Sequence, residues 1–320
     1  MFIPSLSSQS AEQLLQGHIV AERSCWSVLK ASGDGLRDYL QGQITQDITR
    51  LKPEQAIHAC LLTPQGKAIT ELYICQGKGD ELIILTPAHV AVETVARLRR
   101  FSLGYQLRIG VVEDFGVFSL QGAHAGAALA KLGLAETHDD TWLACSRDEQ
   151  GETFAMLIPR EPRGFWLIGR KQTLVAQLPV QIAEEQCEAM RIVHGLPRFG
   201  VEWDASLHPL NANLIEFDSV SFDKGCYVGQ EVTSRMRWRG GIKKKLYRVQ
   251  LPETRQNASP SLPCPVLHTN LRIGEIRSLA FDADGQCFGI ALLPIESVNE
   301  VTPLHLENGE SISVIEPCHA

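Results

Sequence analysis

The chain has 320 residues, about twice the ~150 expected of one domain, so two or three packed units are anticipated. Hydrophobic residues at 44% and charged residues at 21% exclude disordered, collagen-like and mucin-like classes. The net charge of −7 offers no global attraction to nucleic acid or anionic membranes, so any anion site must be local.

The first 22 residues contain no Lys or Arg and no long apolar core, which fits neither a secretory signal nor a transit peptide. No apolar run reaches the ~20 residues of a membrane span, and a cytoplasmic location is expected. The nine cysteines have a closest spacing of 15 residues, Cys60 to Cys75, so there is no CxxC or zinc-knuckle pattern. Reduced, mostly buried thiols are the expectation.

Residues 25–31 (CWSVLKA) read as a strand. The turn Ser32-Gly33-Asp34-Gly35 follows, then a helix carrying Leu36, Tyr39, Leu40 and Ile44 on one face. Strands at 58–62 and 68–75 flank Thr63-Pro64-Gln65-Gly66-Lys67, whose Pro and Gly mark a hairpin, and a third strand occupies 82–86. Pro87 stands as the first position of a helix ending near Phe101, with Arg97, Arg99 and Arg100 in its last turn. Strands at 107–113 and 116–121 precede an Ala-rich helix at 123–132 and short strands at 141–145, 154–158 and 165–168. A helix at 183–194 is closed by Gly195 and Pro197. Beyond Gly240-Gly241 and Lys243 to Lys245, short strands alternate with the hairpin signals Asp284-Gly285 and Asn308-Gly309, predicting a small all-β barrel or sandwich in the last ~80 residues.

The segment 223–241 carries the most chemistry. Gly225 and Gly229 bracket Cys226 just before a helix predicted over about 229–237. That places Cys226 at or near a helix N-terminus, where the dipole and Lys224 favour thiolate; the alternative is an inert thiol packed between turn glycines. Arg235, Arg237, Arg239 and Lys243 to Lys245 put six cations in 11 residues, a patch suited to a phosphate, a polyglutamate tail or RNA, or else a solvated helix face. Gln230 and Glu231 suit either first-turn stabilisation or ligand contact, and Tyr227 either packing or a hydroxyl in a cavity. His194 reads as a C-terminal cap before a catalyst, and Asp47 as a turn or cap residue before a substrate-positioning one.

The run Lys224-Gly225-Cys226-Tyr227-Val228-Gly229-Gln230-Glu231 matches KGCYxGQE, and on it the chain resembles the YgfZ family, folate-binding or tRNA-modifying proteins related to the glycine-cleavage T-protein, an aminomethyltransferase. Leu40-Gln41-Gly42-Gln43-Ile44-Thr45-Gln46-Asp47 is similar to the family's QGQxTxD. Trp26 before a strand, Asn213-Leu214 upstream of Ser221-Phe222, and Arg239-Gly240 extend the resemblance over 26–245. It implies an α+β fold, a three-domain ring of the aminomethyltransferase type with a C-terminal β-barrel. Residues 17–50 and 114–240 would form the folate-binding-like core, 51–113 an inserted subdomain and 241–320 the barrel.

The resemblance further implies tetrahydrofolate or a derivative in the central hole, with Trp26 stacking on it. Cys226 falls on the family's essential cysteine, and Lys224, Gly225, Tyr227, Gly229, Gln230, Glu231 and Arg239 are the accompanying binding candidates. The implied role is an accessory factor for iron–sulfur client enzymes such as a tRNA methylthiotransferase, with no tightly bound metal, Cys226 the one candidate cluster ligand, and neither membrane nor direct nucleic-acid contact. A tetrahydrofolate-dependent aminomethyl transferase and a protein or RNA interaction module with a vestigial cavity are the alternatives. Two positions depart from the pattern: Val193 replaces the pterin-contacting Glu of T-protein relatives, and Cys187 aligns with the second tryptophan of the family's folate site. Glu184, Glu185 and Glu188 are the nearby carboxylates that stand as substitutes.

Overall fold

The computed structural model describes residues 3–135, 142–158, 164–252, 261–298 and 303–320. Three antiparallel sheets organise them. The first has the order Ile57–Leu62, Ala68–Gln76, Leu82–Pro87, Trp26–Ser32, Arg108–Val111. The second runs Ile19–Glu22, Phe115–Gln121, Gly164–Arg170, Phe154–Ile158, Cys145–Arg147. The third is a closed six-stranded barrel of Lys244–Leu251, Cys287–Pro294, Leu271–Phe281, Cys264–His268, Leu304–His305 and Ser311–Pro317, the last pairing back onto the first. The expected C-terminal barrel is present, with Gly285 and Gly309 at left-handed φ in two of its tight turns.

Several expectations need correction. Trp26–Ser32 pairs with Leu82–Pro87 and Arg108–Val111, so the first sheet crosses the boundary expected at residue 50/51. Pro87 ends a strand, and the helix that follows is Ala91–Arg100. Thr141 lies outside the described residues, and the strand expected near it is Cys145–Arg147. The helices Ser8–Gln16 and Lys171–Gln177 and the strand Ile19–Glu22 were not legible in the sequence.

One hydrophobic cluster joins all three sheets. It takes Trp26, Val28 and Tyr73 from the first, Val117 and Trp166 from the second, and Leu246 and Ile290 from the barrel. Each sheet also has its own core, such as Leu29, Leu40, Leu72 and Leu98 beneath the first. Both faces of the first sheet are therefore covered, which explains why Ile57–Leu62 and Leu82–Pro87 are buried at every position instead of alternating. Two buried polar nodes tie the layers together. Asn213, at φ 64°, bonds the first barrel strand and the C-terminus, and Arg191, on the helix Glu184–Val193, bonds Glu188 and Glu202. No helix among the described residues is long and apolar enough to cross a membrane.

Candidate functional site

The two motifs that carried the resemblance are built into one another. Lys224, only 8% exposed, donates from Nζ to the carbonyls of Ile44 and Gln46, each at 2.9 Å. Val228 N–H donates to Gly42 O at 3.1 Å and Ser221 N–H to Thr45 O at 3.0 Å, while Thr45 Oγ1 donates to Ser219 O and accepts from Cys60 N–H. The loop 219–228 is thus laced along the turn 42–46. Asp47 caps the short helix Ile48–Arg50, as the turn reading anticipated. Burial works to raise its carboxyl but is outweighed by the hydroxyl and amide of Thr49, the Gln41 amide and the charge on Lys224, which hold it below the usual range.

Lys224 is therefore an anchor, not a free cation beside the thiol. Burial pushes its ammonium down to about 8, against the pull of Asp47. The unfolded chain keeps this proton to its usual 10.5, so between pH 8 and 10.5 the unfolded state binds more protons and stability rises with pH. The unfolding free energy of the wild type minus that of Lys224→Met is expected to increase from pH 7 to pH 9.5. A constant difference would show that the burial penalty is absent.

Cys226 is the one exposed cysteine of the nine, and none of the nine is in a disulfide. It does not sit at the helix N-terminus: Gly229 is the N-cap at φ 87° and Gln230 the first helical residue of Gln230–Trp238. The glycine shifts the helix start because the backbone there must be left-handed and lies against the neighbouring hairpin; a Cβ would stand 2.7 Å from Thr63 O. Gly225, by contrast, faces open space. Tyr227 is packed in the shared core, its phenol pushed up to about 12 by burial. Glu231 is an exposed first-turn residue paired with Arg235 at 2.7 Å, and Arg239 is the exposed C-cap.

Trp26 lies elsewhere, 6% exposed in an aromatic box with ring centroids 5.0 Å from Trp166 and 5.5 Å from Tyr73. Trp142 and Phe217 complete the wall of the central cavity, which none of the residues 224–231 lines. The indole N–H groups of Trp26, Trp142 and Trp166 have no acceptor, so donors for a ligand's oxygens are available. The room is not: the cavity is about 20 Å³, one water's worth, against the ≈ 300–1,000 Å³ of small-molecule sites. As the rings stand, the residues around Trp26 do not fit a pterin.

The other folate-related positions also disperse. Cys187 is buried with Leu14, Ile19 and Met190, away from Trp26. Glu184, Glu185 and Glu188 line a separate cleft of about 840 Å³ between their helix and the barrel. Glu184 accepts from the Ser24 hydroxyl and Cys25 N–H. Glu188, although burial raises its carboxyl, is held well below the usual range by Arg191, Arg23 and Arg198. Cys25 in the same cleft is pushed up to about 11, chiefly by burial, and stays a thiol. His194 is the C-cap of Glu184–Val193.

Sequence reading missed a buried array beside the aromatic box. His58 Nδ1 lies 2.6 Å from Ser219 Oγ and Nε2 lies 3.2 Å from Glu71, whose other oxygen accepts from Phe199 N–H at 2.7 Å. All three side chains are buried, and they brace the first sheet against the loop that leads into the cysteine segment. The His58–Glu71 part places the two residues on paired neighbouring strands, but nothing in the local sequence announces Ser219.

Three antiparallel sheets, the last a closed barrel, and a cysteine loop docked on the turn after the helix Leu36–Gln41 define a T-protein-like fold. The chain superposes on the glycine cleavage system aminomethyltransferase T of Bartonella henselae with a TM-score of 0.81 over 98% of this chain and 90% of that one, at 17% identity. No family model matches the chain. It is 29% identical over 231 residues to the tRNA-modifying protein YgfZ of Hamiltonella defensa, spanning 69% of this chain and 67% of that protein. It is 24% identical over 299 residues to the protein of the same name in Yersinia enterocolitica, spanning 91% and 89%. These relatives bear out the resemblance drawn from KGCYVGQE: the chain is similar to proteins named YgfZ and has the fold of the aminomethyltransferase T.

Proposed function

We propose that the protein is an accessory factor supporting iron–sulfur cluster assembly or repair in client enzymes, and through them tRNA modification, with Cys226 as its reactive group. The observation that carries this reading is the exposure of Cys226 alone among nine cysteines, on a loop whose neighbour Lys224 is fixed by two hydrogen bonds. The loop is rigidly based while the thiol is open to a macromolecular partner. Among the described residues no group of three His, Cys, Asp or Glu side chains is placed to hold a metal, so any cluster met by Cys226 is a client's cargo with its other ligands supplied by the client. The relatives' shared name supports the link to tRNA modification.

Folate has no part in this role, because the aromatic box as it stands leaves no volume for a pterin. The aminomethyl-transfer alternative also loses ground. Val193 is buried in the shared core, and Glu71, which lines the central cavity, is already committed to His58 and Phe199.

The test is complementation by Cys226→Ala in a strain lacking its own homologue, reading iron–sulfur enzyme activity and tRNA methylthiolation. Loss of rescue is expected with the melting temperature essentially unchanged, since the side chain is exposed. Full rescue would overturn the assignment.

A further inference from the structure

The helix that follows the cysteine loop ends in an exposed aromatic and basic surface that the proposed role of Cys226 does not use. Trp238 is 72% exposed, the most exposed aromatic side chain among the described residues. Its ring meets Phe222 edge-on at 6.2 Å, and the Arg237 guanidinium lies over both rings, 5.5 Å from Trp238 and 5.7 Å from Phe222. Arg239 and Lys243 are exposed beside it on the turn at Gly240-Gly241. The only acids in the segment 223–245 are Asp223 and Glu231, and Glu231 is already neutralised by Arg235. A chain of net charge −7 thus carries a local cationic surface around an open indole face.

The composition of this surface selects its partner. Stable protein interfaces have an apolar core of several residues inside a polar rim. Here Arg237, Arg239, two glycines and Lys243 are exposed around the indole, while the neighbouring apolar side chains Phe222, Met236 and Ile242 are half-buried and packed against the shared core, so Trp238 is the one large apolar group the segment leaves open. A planar ring for stacking, a guanidinium stacked with it and flanking cations for phosphates are what an unpaired polynucleotide needs. We infer that this surface binds single-stranded nucleic acid, with Trp238 stacking on a base while Arg237, Arg239 and Lys243 hold the phosphates. The acidic overall balance, which argued against nucleic acid, sets only the far field; within a Debye length of roughly 8 Å the local cations prevail. The inference stands apart from Cys226, and its test leaves that residue intact.

The experiment is fluorescence anisotropy of the full chain with a labelled 12-nucleotide single-stranded RNA, and with heparin as a polyanion lacking bases. Three phosphate contacts give a log–log salt slope of about −2, so affinity should fall roughly 16-fold between 50 and 200 mM salt. Trp238→Ala should weaken RNA binding by about 5- to 150-fold and leave heparin binding unaltered. Arg239→Glu, which touches no aromatic ring, should weaken both and confirms the patch independently of any repacking around Phe222. No RNA binding at 50 mM salt overturns the inference. So does RNA affinity indifferent to Trp238→Ala, which would leave a docking patch for acidic proteins instead.

Discussion

Asn213→Ala is expected to cost about 3–5 kcal/mol of folding stability, although Asn213 lies in no cavity and touches no candidate catalytic group. The side chain is fully buried, and its amide donates to Leu246 O at 2.9 Å and Cys318 O at 2.7 Å while its oxygen accepts from Leu246 N–H at 2.9 Å. These three bonds tie the turn after the short helix Pro209–Ala212 to the first barrel strand and to the C-terminus. Alanine forfeits all three buried bonds, at about 1 kcal/mol each, although Leu246 O keeps the N–H of Cys318 at 2.9 Å. It also keeps φ at 64° without the local hydrogen bonding that lets Asn tolerate that conformation, about 1 kcal/mol further. Asn213→Gly removes only the second cost, so urea unfolding should place it about 1 kcal/mol above the alanine variant and well below wild type. Near-wild-type stability of the glycine variant would mean that water replaces the amide and that the barrel is held by apolar contact alone.

What was legible in the sequence follows from how local each signal is. Hairpin turns and apolar runs placed most strands within two residues, because Thr63 to Lys67, Asp284-Gly285 and Asn308-Gly309 fix their own geometry. The KGCYVGQE run identified the relatives for the same reason. The strand Ile19–Glu22 escaped notice because its pairing partner, Phe115–Gln121, is about a hundred residues away. Lys224 read as a free cation, since a buried lysine is rare by composition and its acceptors, Ile44 and Gln46, lie in a distant turn. The aromatic box is assembled from Trp26, Tyr73, Trp142, Trp166 and Phe217, five segments with no common spacing. Trp26 taken alone read as a stacking platform with room above it, and only the convergence of the other rings shows that the space is filled. Cys187 sits one helical turn before Arg191, which lines the cavity, but is buried with Leu14, Ile19 and Met190 under the N-terminal helix and strand, a long-range packing that its position in the sequence does not reveal.

Arg191→Ala is expected to destabilise the protein by about 3–5 kcal/mol, the range for removing one member of a buried ion pair. The guanidinium is buried on the helix Glu184–Val193 and donates to Glu188 at 3.0 and 3.2 Å, to both oxygens of Glu202 at 3.0 Å and to Leu196 O. The two carboxylates do not suffer equally. Glu188 keeps Arg23 at 2.7 Å and Arg198 at 2.9 Å, whereas Glu202, 0% exposed, retains only Arg198 N–H at 2.8 Å. The cost therefore falls on Glu202, stranded as a charge without a cation. Pairing Arg191→Met with Glu202→Gln restores volume and removes that charge, and the double variant should recover most of the loss in chemical denaturation. A double variant no more stable than Arg191→Ala would place the penalty instead in the lost bond to Leu196 O, the carbonyl that follows the Gly195 turn and sets where the chain leaves the helix for the central cavity.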